Sequence, residues 1–207
     1  MIRDAFLDTA RVARELVASD AVETAWNRPS ALAGMSVGAL AGHLSRAITL
    51  PEQYLDVGEP ADDVSLLTAA EYFASVELTD DLNAQIRERG AAEAAAGHAA
   101  LVARVDESLN RTSARLASER PDRRVASIGG RPSLLDEYLV TRIVELAVHL
   151  DDLAVSVEVE TPTIPPIGWA CALGCLFEIA RTRHGDLAVL RALARRERDS
   201  IEALRVF

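Results

Sequence analysis

Glu145 and His149 are the residues best placed to do chemistry. They stand one helical turn apart in Thr141-Arg142-Ile143-Val144-Glu145-Leu146-Ala147-Val148-His149-Leu150-Asp151-Asp152-Leu153. On a helix, side chains four positions apart share a face, with Cβ atoms about 5–6 Å apart. Leu139, Val140, Ile143, Val144, Leu146, Val148, Leu150 and Leu153 cover most of the remaining circumference, which is the pattern of a buried helix. A carboxylate in such a place costs several kcal/mol unless it is paired with a charge or bound to a metal. Two readings follow. In one the pair is structural, with Glu145 on Arg142 and His149 hydrogen-bonded to Asp152. In the other it is part of a metal site that needs a third ligand from another helix, and His43 is the candidate.

The elements that must position these residues read mostly as helices. Ile2, Phe6, Ala10, Ala13, Leu16 and Val17 recur at helical spacing and predict an amphipathic helix from residue 2 to about 19. A loop through Trp26-Asn27-Arg28-Pro29-Ser30 leads to Ser36, a cap for a helix from Val37 to about Leu50, where Pro51 is expected to kink or break it. His43 lies beside Leu40 and Ala47 on its inward side, either as a core histidine or as a ligand. Gly42, which costs about 1 kcal/mol in a helix relative to alanine, makes room for close approach of a helix or ligand.

After a Gly/Pro/Asp loop over 58–63, residues 66–76 read as a short helix, and Thr79-Asp80-Asp81 as the cap of another, which Gly90 interrupts. Residues 91–116 then read as one long helix with His98 at the edge of its core stripe, lining a site or half-exposed. Between Pro121 and Pro132 the run 123–130 suggests a short hairpin. Ser133, with Asp136 and Glu137 behind it, suggests a capping arrangement for a central helix from Leu134 to about Val157. Pro162, Pro165 and Pro166 separate a last helical pair. One member runs from Pro166 to about Arg181; Asp186 caps the other, from Leu187 to about Leu204, with a polar face of Arg191, Arg195, Arg196, Glu197 and Arg198.

Composition narrows the class. The chain has 207 residues, 49% of them hydrophobic but only 4% aromatic, so Ala, Leu and Val must form the core, and Ala and Leu are the best helix formers. The net charge of −10 argues against nucleic acid and anionic membranes as partners, and every Lys/Arg position is Arg. The N-terminus is charged where an export signal would be apolar, and the longest uncharged run, 161–177, is broken by prolines. Cys171 and Cys175, without neighbouring metal-ligand types, read as small core residues of a reduced, cytoplasmic protein. Tyr54, Tyr72 and Tyr138 read as partly buried packing residues or as lining of a pocket.

Two stretches carry a family resemblance. Gly34-Met35-Ser36-Val37-Gly38-Ala39-Leu40-Ala41-Gly42-His43-Leu44, preceded by Trp26 and Pro29, resembles the first signature of the DinB/YfiT-like superfamily. Arg142-x-x-Glu145-x-x-x-His149-x-x-Asp152-Leu153 resembles the second signature of its mycothiol-dependent maleylpyruvate isomerase branch. The resemblance implies an all-α, DinB-like up-down-down-up four-helix bundle over residues 1–157; the Pro-rich linker and last helical pair beyond it read as a helical C-terminal extension, 158–207, packed on the bundle. The resemblance also implies a divalent metal, zinc first and nickel, manganese or iron next, on His43, Glu145 and His149, with Asp152 orienting an imidazole N–H.

The implied activity is a metal-dependent S-transferase or isomerase reaction in which mycothiol, activated as thiolate, meets a small electrophile. Arg46 and Arg142 are then candidate anion-binding residues, and His98 a candidate contact for the thiol. The implied partners are the small-molecule thiol and electrophile, with the chain a monomer or homodimer. The alternatives are a metal-binding bundle without turnover and a metal-free interaction protein.

Overall fold

The computed structural model describes residues 1–61, 63–77, 79–127, 130–194 and 201–206. The described elements are helices α1 (Ile2–Val17), α2 (Asp20–Ala25), α3 (Val37–Asp56), α4 (Ala69–Ala74), α5 (Asp80–Ala94) and α6 (His98–Ser118), strands β1 (Arg124–Ser127) and β2 (Arg131–Leu134), helices α7 (Leu135–Ser156), α8 (Pro166–His184) and α9 (Asp186–Ala194), and a closing 3-10 turn, Ile201–Leu204.

Charged contacts give the direction of each long helix. Arg3, at the start of α1, donates to Asp136 at the start of α7 (2.9 Å) and to the Leu116 carbonyl at the end of α6 (3.0 Å). Farther along α1, Arg14 pairs with Asp106 in α6 (2.6 Å). So α1 runs with α7 and against α6. Late in α3, Glu52 pairs with Arg111 and Asp56 with Arg115, both late in α6, so these two helices run together. Tyr54 of α3 packs edge-on against Tyr138 near the start of α7, which sets α3 against α7. The four helices therefore run up, down, down, up, as the resemblance implies. Their shared core is aliphatic, with Leu40, Leu44, Ile48, Leu101, Leu139, Ile143, Leu146 and Leu150 all fully buried. Among the described residues no helix is long and apolar enough to cross a membrane.

The caps foreseen at Ser36 and Thr79 form, each hydroxyl accepting the backbone N–H of the residue three positions on, Ala39 and Leu82. Other expectations need correcting. The segment after α1 is no simple loop, because Ser19 caps the short α2. Pro51 does not end α3, which runs on to Asp56: it is buried with Leu50 and Leu55, and that packing outweighs the hydrogen bond it forfeits. Gly90 does not interrupt α5. It lies where α5 crosses α3, and a Cβ there would come within 2.6 Å of the Ala39 carbonyl oxygen and 3.2 Å of the His43 Cβ. The chain breaks instead near Gly97, at φ +89°, so the helix expected from residue 91 starts at His98.

A hairpin forms, but it reaches beyond the expected run 123–130: β1 pairs antiparallel with β2, which starts only at Arg131, and Val125 lies opposite Ser133. Ser133 is thus a strand residue and not a cap; α7 begins at Leu135 without a side-chain cap. Asp136 and Glu137 serve other elements, Asp136 holding Arg3 and Glu137 accepting the Ala69 N–H at the head of α4 (2.8 Å).

Helix α8 packs against α7, α4 and α1. Gly168 admits the close passage of Thr9 from α1. Asp186 opens α9 and accepts from Arg181 (2.6 Å). Of the polar face expected on the last helix, Arg191 lies in α9, while Arg195, Arg196, Glu197 and Arg198 fall outside the described residues. Cys175 is buried and Cys171 half-buried, both as free thiols.

Candidate metal centre

His43 projects from the second turn of α3, between the buried Leu40, Leu44 and Ala47. Glu145 and His149 project from the middle of α7, flanked by the buried Ile143, Leu146 and Leu150. Because α3 and α7 run antiparallel side by side, the two stripes face each other and the three polar groups meet. His43 Nε2 lies 3.0 Å from His149 Nε2 and 3.8 Å from Glu145 Oε2, and His149 Nε2 lies 3.3 Å from the same oxygen. Zinc bonds of about 2.0–2.1 Å at tetrahedral angles separate neighbouring donors by about 3.3–3.4 Å. The donor triangle fits such an ion. Among the described residues this is the one such cluster of three or more His, Cys, Asp or Glu groups.

Asp152 Oδ2 lies 2.9 Å from His149 Nδ1, the contact that fixes a ligating imidazole with its Nε2 toward a metal. Electrostatics follow the same lines. Burial works against the Glu145 carboxylate, but the His149 hydrogen bond and the positive Arg142 outweigh it and hold the pKa low, at about 2. Burial and the neighbouring His149 lower His43 to about 4. Burial also disfavours charge on His149, yet Asp152 and Glu145 outweigh it and raise the pKa to about 9. The ion-free site therefore holds its proton on His149, between two carboxylates.

A metal must displace that proton. Below about pH 9 each unit of rising pH removes tenfold of proton competition at one site, so zinc affinity, measured by chelator competition, is expected to rise about tenfold per unit between pH 6 and 8. In Asp152→Asn the slope should flatten, because His149 loses the anion that retains its proton. At pH 9, where competition has faded, the same variant should bind zinc about 10–100-fold more weakly.

The triad opens on a cavity of about 960 Å³ whose lining includes His43, Arg46, Arg142, Glu145, His149 and Asp152. Arg142 is only 7% exposed and lies over the Tyr138 ring, 5.1 Å from its centroid, with its Nε donating to Thr141 (3.1 Å). Among the described residues no carboxylate is within ion-pair distance of it, so the expected direct Arg142–Glu145 pair is absent. Arg46 pairs with Glu93 of α5 (3.2 Å), which also takes Arg104.

His98 is elsewhere. Its ring nitrogen meets the Val17 carbonyl at the end of α1 (2.7 Å), its ring packs against Trp26, and it does not line the cavity. The carbonyl it meets is one that a helix end leaves without an intrahelical partner, which accounts for its place on the core edge.

Of the three tyrosines only Tyr72 of α4 lines the cavity; sequence reading missed Arg87 and Arg89 of α5, Arg131 of β2 and Arg183 of α8 as cavity residues. No local pattern marks them, since their elements converge only in the folded chain.

A family model described as the mycothiol maleylpyruvate isomerase N-terminal domain matches residues 7–154, which include all three clustered donors and Asp152. No curated protein and no solved structure matches the chain.

Proposed function

Since the chain belongs to the mycothiol maleylpyruvate isomerase N-terminal domain family, we propose that it is a divalent-metal-dependent S-transferase or isomerase that turns a mycothiol-type thiol on a small electrophile. His43, Glu145 and His149 are the metal ligands. The observation that carries the reading is the convergence of three donors, 3.0–3.8 Å apart, on one wall of a large cavity. A divalent cation held there supplies Lewis acidity, enough to take the proton from a thiol whose ordinary pKa is about 8.5.

The chain's own residues do the rest. Two imidazoles and one carboxylate leave a coordination position open to a reactant, as catalytic zinc sites require; zinc is the first choice, with nickel, manganese and iron also suited to N/O donors. Asp152 holds His149 in the tautomer that presents Nε2. Arg142, stacked on Tyr138, and Arg46, oriented by Glu93, place positive charge on the same cavity wall. Val144 and Val148 keep that wall apolar and limit water around the reacting groups.

The test is a conjugation assay with mycothiol and 1-chloro-2,4-dinitrobenzene. Zinc-loaded protein is expected to accelerate conjugation about tenfold or more over buffer. EDTA should abolish the effect and added zinc restore it. Protein with one bound ion per chain that leaves the background rate unchanged with mycothiol, cysteine and glutathione alike would establish a metal-binding bundle without this turnover.

A further inference from the structure

The chain carries a net charge of −10, yet six arginines line its cavity: Arg46, Arg87, Arg89, Arg131, Arg142 and Arg183. Some have internal duties. Arg46 pairs with Glu93, Arg131 stacks on Tyr72, and Arg183 donates to the carbonyls of Phe73 (3.2 Å) and Val206. Arg87, Arg89 and Arg142 differ. Among the described residues none of the three has a carboxylate within ion-pair distance, although Arg142 is buried and the other two are half-buried. The lining carboxylates are committed or peripheral: Glu145 and Asp152 lie against the imidazoles, and Glu77 is exposed. Unpaired guanidinium groups gathered in one concavity repel each other, and an arginine's planar fork of donors matches an oxyanion.

The rest of the lining is apolar. Leu82, Ile86 and Arg89 follow at steps of four and three along α5, so one face of that helix carries two aliphatic side chains and a cation into the cavity. Leu32, Met35, Val144 and Val148 continue the apolar surface. A compact diacid could satisfy the cations but would leave this wall wet. A volume of about 960 Å³ is also at the upper end of what small-molecule sites need.

We infer that the electrophile this site accepts is an amphipathic organic anion, with a carboxylate head on Arg142 and Arg89 and an apolar body against Leu82 and Ile86. The inference rests on the cavity being the reactive site proposed above, but arginines and apolar wall act without a metal ion.

The test is calorimetric binding of three probes, 4-phenylbutyrate, 4-phenylbutanol and maleate, to metal-free and to zinc-loaded protein. Phenylbutyrate should bind about tenfold or more tightly than either other probe in both forms. Arg89→Gln and Arg142→Gln should each erase most of the preference over phenylbutanol, and Ile86→Ser should weaken phenylbutyrate and phenylbutanol together. Arg89 is half-exposed, so Arg89→Gln keeps the test valid should the buried Arg142→Gln fail to fold.

Equal binding of acid and alcohol, maleate binding as tightly as phenylbutyrate, or a preference intact in Arg89→Gln would overturn the inference. A carboxylate preference present only with zinc would overturn it too, by placing the anion on the metal. Failure of the metal reading has a different signature: the protein takes up no zinc, while the metal-free preference stands.

Discussion

Purified protein is expected to contain about one divalent ion per chain by mass spectrometry, and His43→Ala and Glu145→Ala to contain almost none after dialysis. Zinc binding to four-ligand peptides is worth about 10–16 kcal/mol, so loss of one ligand removes about 3–4 kcal/mol, a factor of several hundred in affinity. His43 is the more informative position, because it is the one donor that α3 contributes; without it the site is two groups on one helix. Glu145→Ala removes the only charged donor, and in the metal-free state it also removes the anion 3.3 Å from the raised His149, whose pKa should fall. Glu145→Gln, which keeps the side-chain volume, separates loss of charge from loss of packing. Should both alanine variants retain a full ion, the metal lies elsewhere and the cluster is a structural contact between two helices.

A single methyl group at residue 42 is expected to destabilise the protein even though alanine is the better helix former. A Cβ on Gly42 would fall inside contact distance of the Gly90 carbonyl oxygen, and backbone atoms cannot rotate away. Helices α3 and α5 must separate. Overpacking of this kind costs about 1–3 kcal/mol or more, against a propensity gain of about 1 kcal/mol. The clash dominates because backbone faces backbone, so Gly42→Ala should lose about 2 kcal/mol and about 4–8 °C in Tm for a chain of this size. Zinc affinity should fall with it, since His43 is the next residue and α5 carries the Glu93 that orients Arg46. Gly174→Ala is the control: it lies inside α8 and is exposed, and nothing is within 4 Å of an added Cβ, so it should stabilise the protein slightly. Equal effects at 42 and 174 in a melting experiment would mean that the crossing has no consequence for stability.

Several features could be read without a structure because their causes are local. The stripe of Ile2, Phe6, Ala10 and Ala13 makes α1 from its expected start, and the hydroxyls of Ser36 and Thr79 start α3 and α5 because an N-cap acts on backbone two or three residues away. The i, i+4 spacing of Glu145 and His149 settles their common face on α7 by helix geometry alone. His43 could be nominated but not placed, since the antiparallel pairing of α3 with α7 is a property of the bundle.

The misread positions share one feature: distant groups override a local preference. Pro51 has the chemistry of a helix breaker and Gly90 that of an interrupter, yet buried packing keeps α3 intact and the α3 backbone needs the missing side chain of Gly90. His98 follows a core stripe like that of His43, but its ring meets the end of α1. The sequence by itself determined the helical class, the caps at Ser36 and Thr79 and the shared face of Glu145 and His149 on α7, because those depend on residues within a turn or two. The meeting of His43 with that pair, the exclusion of His98 and the gathering of arginines from α3, α5, β2, α7 and α8 around one cavity were decided by tertiary structure, because each depends on which helix faces lie against each other.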